Sequence, residues 1–181
     1  MKIKDIIYEL LETFLTSLVV ILTLYVFIAS VETVWGASME PNFYTGERIL
    51  VDKVTKRIKE FDRGDIVVLY PPDSDSMHYI KRIVGVPGDI TKIFECHVYV
   101  SRDGNKFELM EPYLPQNTCT RDGLKIKEGR AFRIESGYYL VLGDNRNVSA
   151  DSRSFGLVKK DRIIGKVIFR FWPISKAGFI N

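Results

Sequence analysis

Apolar and polar positions divide the chain into two unequal parts. From Thr13 to Val31 run 19 consecutive residues without a charge, TFLTSLVVILTLYVFIASV. No polar stripe recurs there at the 3.6-residue period of a helix packed on a soluble core. Rising about 1.5 Å per residue, such a helix spans roughly 28 Å, close to the hydrocarbon thickness of a bilayer. The pattern therefore predicts a transmembrane helix over 13–31, a short N-terminal segment over 1–12 and an exported domain over 32–181. A cleavable secretory signal is the alternative, with Ala29 to Val31 as a small-residue cleavage site, but its apolar core would be about 7–15 residues.

Beyond Val31 the pattern changes to short β-branched and aromatic runs: Arg48–Val54, Asp65–Tyr70, His78–Val86, His97–Val100, Tyr138–Leu142 and Ile163–Trp172. Turn sequences such as Pro71-Pro72-Asp73, Pro87-Gly88-Asp89, Asp103-Gly104 and Asp122-Gly123 separate them. No long amphipathic helical run intervenes, although Val158–Arg162 has room for a short turn. The fold class expected is mainly β, an antiparallel sandwich or barrel-like domain with one N-terminal transmembrane helix. Residues 93–130 are more polar and read as an irregular insertion or subdomain.

Composition narrows the function. The chain has 181 residues, 46% hydrophobic and 27% charged, which fits neither a disordered nor a polytopic membrane protein. A net charge of +3 is too mild to imply nucleic acid as a partner. Two His residues are too few for a dedicated metal cluster, so neither metal nor cofactor is expected. Lys2 and Lys4 precede the apolar run and the next basic residue is Arg48, so the charge rule keeps the N-terminus in the cytoplasm and the domain outside. In that compartment a disulfide between Cys96 and Cys119 is the natural reading, with two unrelated thiols as the alternative.

Three clusters carry candidate chemistry. The first is Trp35-Gly36-Ala37-Ser38-Met39-Glu40-Pro41, where small neighbours leave the Ser38 hydroxyl and N–H open. Ser38 lies seven residues past Val31, within about 25 Å of the end of the span even if extended. In the second, Tyr79 to Asp89, Lys81 interrupts an apolar strand. At a period of two it shares a face with Tyr79 and Ile83. It is either an edge cation reaching for solvent or a lysine kept neutral by desolvation so that it can act as a base. The third, Gly143 to Gly156, is dense in Asp, Asn, Ser and Arg, and its spacing suggests ion pairs Asp144/Arg146 and Asp151/Arg153. Neither His78 nor His97 falls in these clusters, so a Ser/His/Asp triad is not expected.

Taken together and in order, these segments resemble the type I signal peptidases, membrane-bound Ser/Lys proteases that remove signal peptides from exported proteins. The resemblance runs through Ser38-Met39-Glu40-Pro41, Arg63-Gly64-Asp65-Ile66-Val67-Val68 and Lys81-Arg82-Ile83-Val84-Gly85-Val86-Pro87-Gly88-Asp89. It continues through the 143–153 segment to Gly165-Lys166 and Phe171-Trp172-Pro173. It implies Ser38 as nucleophile, Lys81 as general base, and Ser149 as a hydroxyl that orients the base. Asp151 and Arg153, with Asp144, would shape the site. Val34, Trp35, Gly36, Met39, Phe43, Tyr79 and Ile80 would line pockets for small residues, giving cleavage after Ala-x-Ala. It further implies exported preproteins and membrane lipid as partners, no cofactor, and a place in the bacterial cytoplasmic membrane. Gly36 stands where the family often has Ser, so the oxyanion hole would rest on the Ser38 N–H with a neighbouring amide or water. The insert 93–130 departs from the family pattern and points to a specialised branch such as the conjugative pilin-processing peptidases.

Overall fold

The computed structural model describes residues 3–180, without the side chain of Val26. Lys2, which counts toward the charge asymmetry, lies outside the described residues. Helix α1 covers Ile3–Phe27 and is long and apolar enough to cross a membrane by length and composition. Its described side chains are exposed all round. The hydroxyls of Thr13, Thr16, Ser17 and Thr23 donate to carbonyls one turn back, on Glu9, Glu12, Thr13 and Val19. These polar atoms are thereby satisfied without water.

The helix stops four residues short of the expected Val31. After Ile28 the chain enters strand β1, Ala29–Thr33. The uncharged run continues across this junction through Ala29, Ser30 and Val31 of β1, where Ser30 is buried in the domain, so hydrophobicity alone cannot separate span from strand. There follow β2 (Arg48–Asp52), the short helix α2 (Thr55–Ile58), β3 (Ile66–Leu69), β4 (Tyr79–Gly85), β5 (Ile90–Phe94), β6 (His97–Arg102), β7 (Asn105–Glu108), β8 (Phe132–Arg133) and β9 (Tyr138–Leu142). Helix α3 (Ser152–Phe155), β10 (Val158–Lys159), β11 (Ile163–Trp172) and β12 (Gly178–Phe179) complete the fold.

All strand pairings are antiparallel. The larger sheet runs β1-β2-β11-β3-β4-β9-β10, with β12 beside β11, and the smaller runs β7-β6-β5-β8. The two faces of β3 feed different cores, as its period of two requires. Ile66 and Val68 join Val34, Met39, Phe43, Ile49, Val51, Ile80 and Val167, while Val67 and Leu69 join Phe61, Ile83, Tyr139 and Ile163. The 93–130 stretch is less irregular than its composition implies. Val98 and Val100 are buried between polar neighbours in β6, and β5, β6 and β7 form most of the smaller sheet. Cys96 and Cys119 are joined by a disulfide.

Candidate active site

Ser38 sits on a tight turn that the following residues pull into the core. Met39 and Phe43 are almost fully buried, and the turn closes through Glu40 N–H to Ala37 O, Asn42 N–H to Met39 O and Phe43 N–H to Met39 O. Gly36 has φ +83°, a left-handed conformation that a side chain would strain. The Ser38 carbonyl accepts from the Asn145 N–H at 3.0 Å, tying the turn to the loop after β9.

Lys81 lies in β4 opposite Val67 and is 2% exposed. Its Nζ is 2.9 Å from Ser38 Oγ and 2.9 Å from the Ile80 carbonyl oxygen, and it stands 5.0 Å from the centroid of the Tyr79 ring. Burial pushes its pKa down from 10.5 to about 8; Asp151 and Asp144 oppose the shift and Arg153 adds to it. The lysine is thus shielded from water and within hydrogen-bond distance of a hydroxyl.

The loop after β9 is held by buried ion pairs, though not all in the arrangement that spacing suggested. Asp151 caps α3 by accepting from the Arg153 N–H. Its carboxylate also takes Arg153 Nε and Nη2, each at 2.8 Å, and the Gly143 N–H at 3.1 Å. Asp144 does not pair with Arg146. It receives Arg82 Nε at 2.9 Å and Nη2 at 2.7 Å, and Asn42 Nδ2 at 2.8 Å, with the Arg82 guanidinium stacked 3.9 Å from the Tyr113 ring centre. Arg146 turns instead to Glu111 and Thr120. Asp151 and Arg153 thus pair within the loop, whereas Asp144 and Arg146 each take a partner from elsewhere in the chain.

Two further expectations change. Ser149 makes no hydrogen bond to Lys81; its Oγ is buried without a partner, packed where any Cβ on Gly143 would fall. Met39 and Phe43 serve the core and do not line the cleft beside Ser38. That cleft, of about 320 Å³, is bordered by Val34, Trp35, Gly36, Ala37, Tyr79 and Ile80, with Ile49 and Val68 in its floor. Sequence reasoning missed those last two, together with Val148, Ala150, Glu32 and His78 on its rim. The alternation of β2 and β3 was a usable signal for Ile49 and Val68. Glu111, Tyr113 and Thr120 had none. Among the described residues no group of His, Cys, Asp and Glu could hold a metal ion.

The family described as signal peptidase, peptidase S26, matches residues 7–172. Signal peptidase IB of Staphylococcus aureus (strain N315) is 38% identical over 182 residues, covering 93% of this chain and 92% of that protein. Signal peptidase I of Bacillus licheniformis is 33% identical over 177 residues, covering 96% and 92%. A crystal structure of a signal peptidase I from Enterococcus faecalis V583 has 27% identity and a TM-score of 0.46, over 60% of this chain and 97% of that one.

Proposed function

The chain belongs to the signal peptidase family, peptidase S26, as a serine endopeptidase of the signal peptidase I type, and on that premise we propose that Ser38 is its nucleophile and Lys81 its general base. The observation that carries this is the 2.9 Å approach of a buried Lys81 Nζ to Ser38 Oγ. A serine hydroxyl is a poor nucleophile without a base in hydrogen-bond reach, and a lysine serves only when neutral. A pKa near 8 leaves a working fraction neutral at physiological pH.

The neutral Lys81 amine takes the Ser38 proton as Oγ bonds to the scissile carbonyl carbon. The Ser38 N–H donates to no other described residue and is free to bind the developing oxyanion. Lys81 then returns the proton to the departing amine as the C–N bond breaks. A water, deprotonated by the same amine, releases the acyl group. Asp144, Asp151 and Arg153 fix the loop that holds Ser38 through Asn145. Ser149 contributes by filling the space against Gly143.

The cleft walls of Val34, Ile80 and Ala37 suit small side chains, which supports cleavage of exported preproteins after Ala-x-Ala sequences. Helix α1 is the membrane anchor. With Lys2 and Lys4 ahead of its uncharged run, it is a single-pass segment of the bacterial cytoplasmic membrane, N-terminus inside and catalytic domain outside. Confinement of enzyme and precursor to one surface raises their effective concentration. The test is incubation of the full chain in detergent with a precursor ending its signal in Ala-x-Ala, beside Ser38→Ala and Lys81→Met. Wild type cleaves and neither variant does; full activity in either variant overturns the dyad.

A further inference from the structure

The segment closed by Cys96 and Cys119 walls a second groove beside Ser38. Of about 540 Å³, this groove runs between Glu40, Pro41 and Tyr44 on one side and Pro115 to Cys119 on the other. The chain fixes its position relative to the first cleft. Residues 32–38 border the cleft, and the groove begins at Glu40. The loop after β9 crosses over in step: Val148 and Ala150 border the cleft, Asn145 and Asn147 the groove. The Asn145 N–H donates to the Ser38 carbonyl at 3.0 Å and ties the two walls together at the crossing. A peptide whose upstream part fills the cleft, and whose scissile carbonyl meets Ser38 Oγ, therefore leaves along the groove.

The groove differs from the cleft in chemistry. Its lining is mostly amide, hydroxyl and charge, where the cleft is apolar. Of its four charged side chains, two are neutralised in place, Asp144 by Arg82 and Arg146 by Glu111. Glu40 is not. It is half-buried two residues past Ser38, and its carboxylate has no hydrogen bond or ion pair to a described residue. Its N–H donates to the Ala37 carbonyl, so the turn holds the backbone in place while the carboxylate stays open to the groove. Arg121 belongs to the opposite wall, two residues beyond Cys119, and is exposed, so solvent screens its charge more fully.

We propose that Glu40 is a specificity residue on the leaving side of the cut, favouring preproteins that carry Lys or Arg as the second residue after it. This rests on the proteolytic reading above and leaves the Ala-x-Ala requirement upstream untouched. In an extended substrate, side chains two apart share a face about 7 Å from one another. The small residue before the cut points into the cleft, so the second residue after the cut points into the groove, level with Glu40. The first residue after the cut points away from the wall and is indifferent to Glu40. Because the groove is partly open, the ion pair between substrate and Glu40 weakens as salt rises.

The experiment compares kcat/KM for three peptides with the same Ala-x-Ala sequence before the cut. One has Gln at both the first and second positions after it, one has Lys at the second, and one has Lys at the first. Full-length wild type, Glu40→Gln and Glu40→Lys are measured in detergent at low salt. Wild type should prefer Lys over Gln at the second position by about fivefold, the scale of one partly exposed ion pair. That ratio should fall to about one in Glu40→Gln and below one in Glu40→Lys, where like charges meet. Each ratio is taken within one variant, so a general loss of activity cancels. Lys at the first position should respond to neither substitution. A second-position ratio that is the same in all three proteins, or a first-position ratio that moves with it equally, overturns the subsite, while wild-type cleavage leaves the protease reading standing. Failure of wild type to cleave any of the three overturns the protease reading itself.

Discussion

Lys81 and Ser38 touch across 43 residues of sequence, amine to hydroxyl at 2.9 Å, with the amine almost completely shielded from solvent. The proposed mechanism needs the neutral amine, so kcat/KM should climb with pH along an acid limb centred near 8 and then level off. A pH profile on an Ala-x-Ala peptide checks this. A limb near 6 would point to an imidazole in place of Lys81.

The same burial has a thermodynamic sign. The folded pKa lies below the unfolded value of 10.5, so below pH 8 both states are protonated and the fold carries the full cost of a buried charge. Stability then rises from pH 8 to 10.5, where the unfolded chain binds more protons. Lys81→Met removes the charge and keeps the stem. It should stabilise the fold by up to about 3 kcal/mol at pH 7, with the advantage fading above pH 10. Denaturation of both proteins at pH 7 and pH 10.5 measures the difference.

Gly143 sets the clearance behind Ser38. A Cβ at this position would lie 2.2 Å from Ser149 Oγ and 2.4 Å from the Ser38 carbonyl oxygen. Gly143→Ala should therefore push the Ser38 turn away from Lys81 and lower kcat by about a hundredfold, the usual result of misplacing a reacting group by about 1 Å. Single-turnover kinetics separate this from a binding defect, which would raise KM instead.

The disulfide braces the site from a distance. Cys96 and Cys119 are 23 residues apart, and the segment they close carries Glu111, which grips Arg146, and Tyr113, which stacks on Arg82. Replacing both cysteines by Ser should cost roughly 3 kcal/mol on loop-closure grounds. It should also reduce kcat as the Arg146 and Arg82 contacts loosen. Thermal denaturation and peptide cleavage, each with and without reductant, give the two readouts.

The sheet and the juxtaposed Ser38 and Lys81 were legible because each leaves a local mark. Strands β2, β3, β4, β9 and β11 announce themselves through β-branched runs between turns, and Lys81 through its placement in such a run. Met39 and Phe43 were placed at the cleft by resemblance alone, and a tight turn has no period to say that their side chains point into the core. The true partners of Asp144 and Arg146 were hidden because Arg82 and Glu111 are 62 and 35 residues away. Strand β1 disappeared into the apolar segment before it, since lipid and protein interior ask for the same side chains.

That last junction has a consequence of its own. Only Ile28 separates the end of α1 from β1, and β1 leads within a few residues to the wall of the cleft. On the proposed reading, the blade is mounted on its post without a swivel, and its altitude above the lipid is fixed by covalent connection. Such an enzyme would choose where to cut partly by height: a correct Ala-x-Ala set too far from the bilayer, or too deep within it, would be passed over.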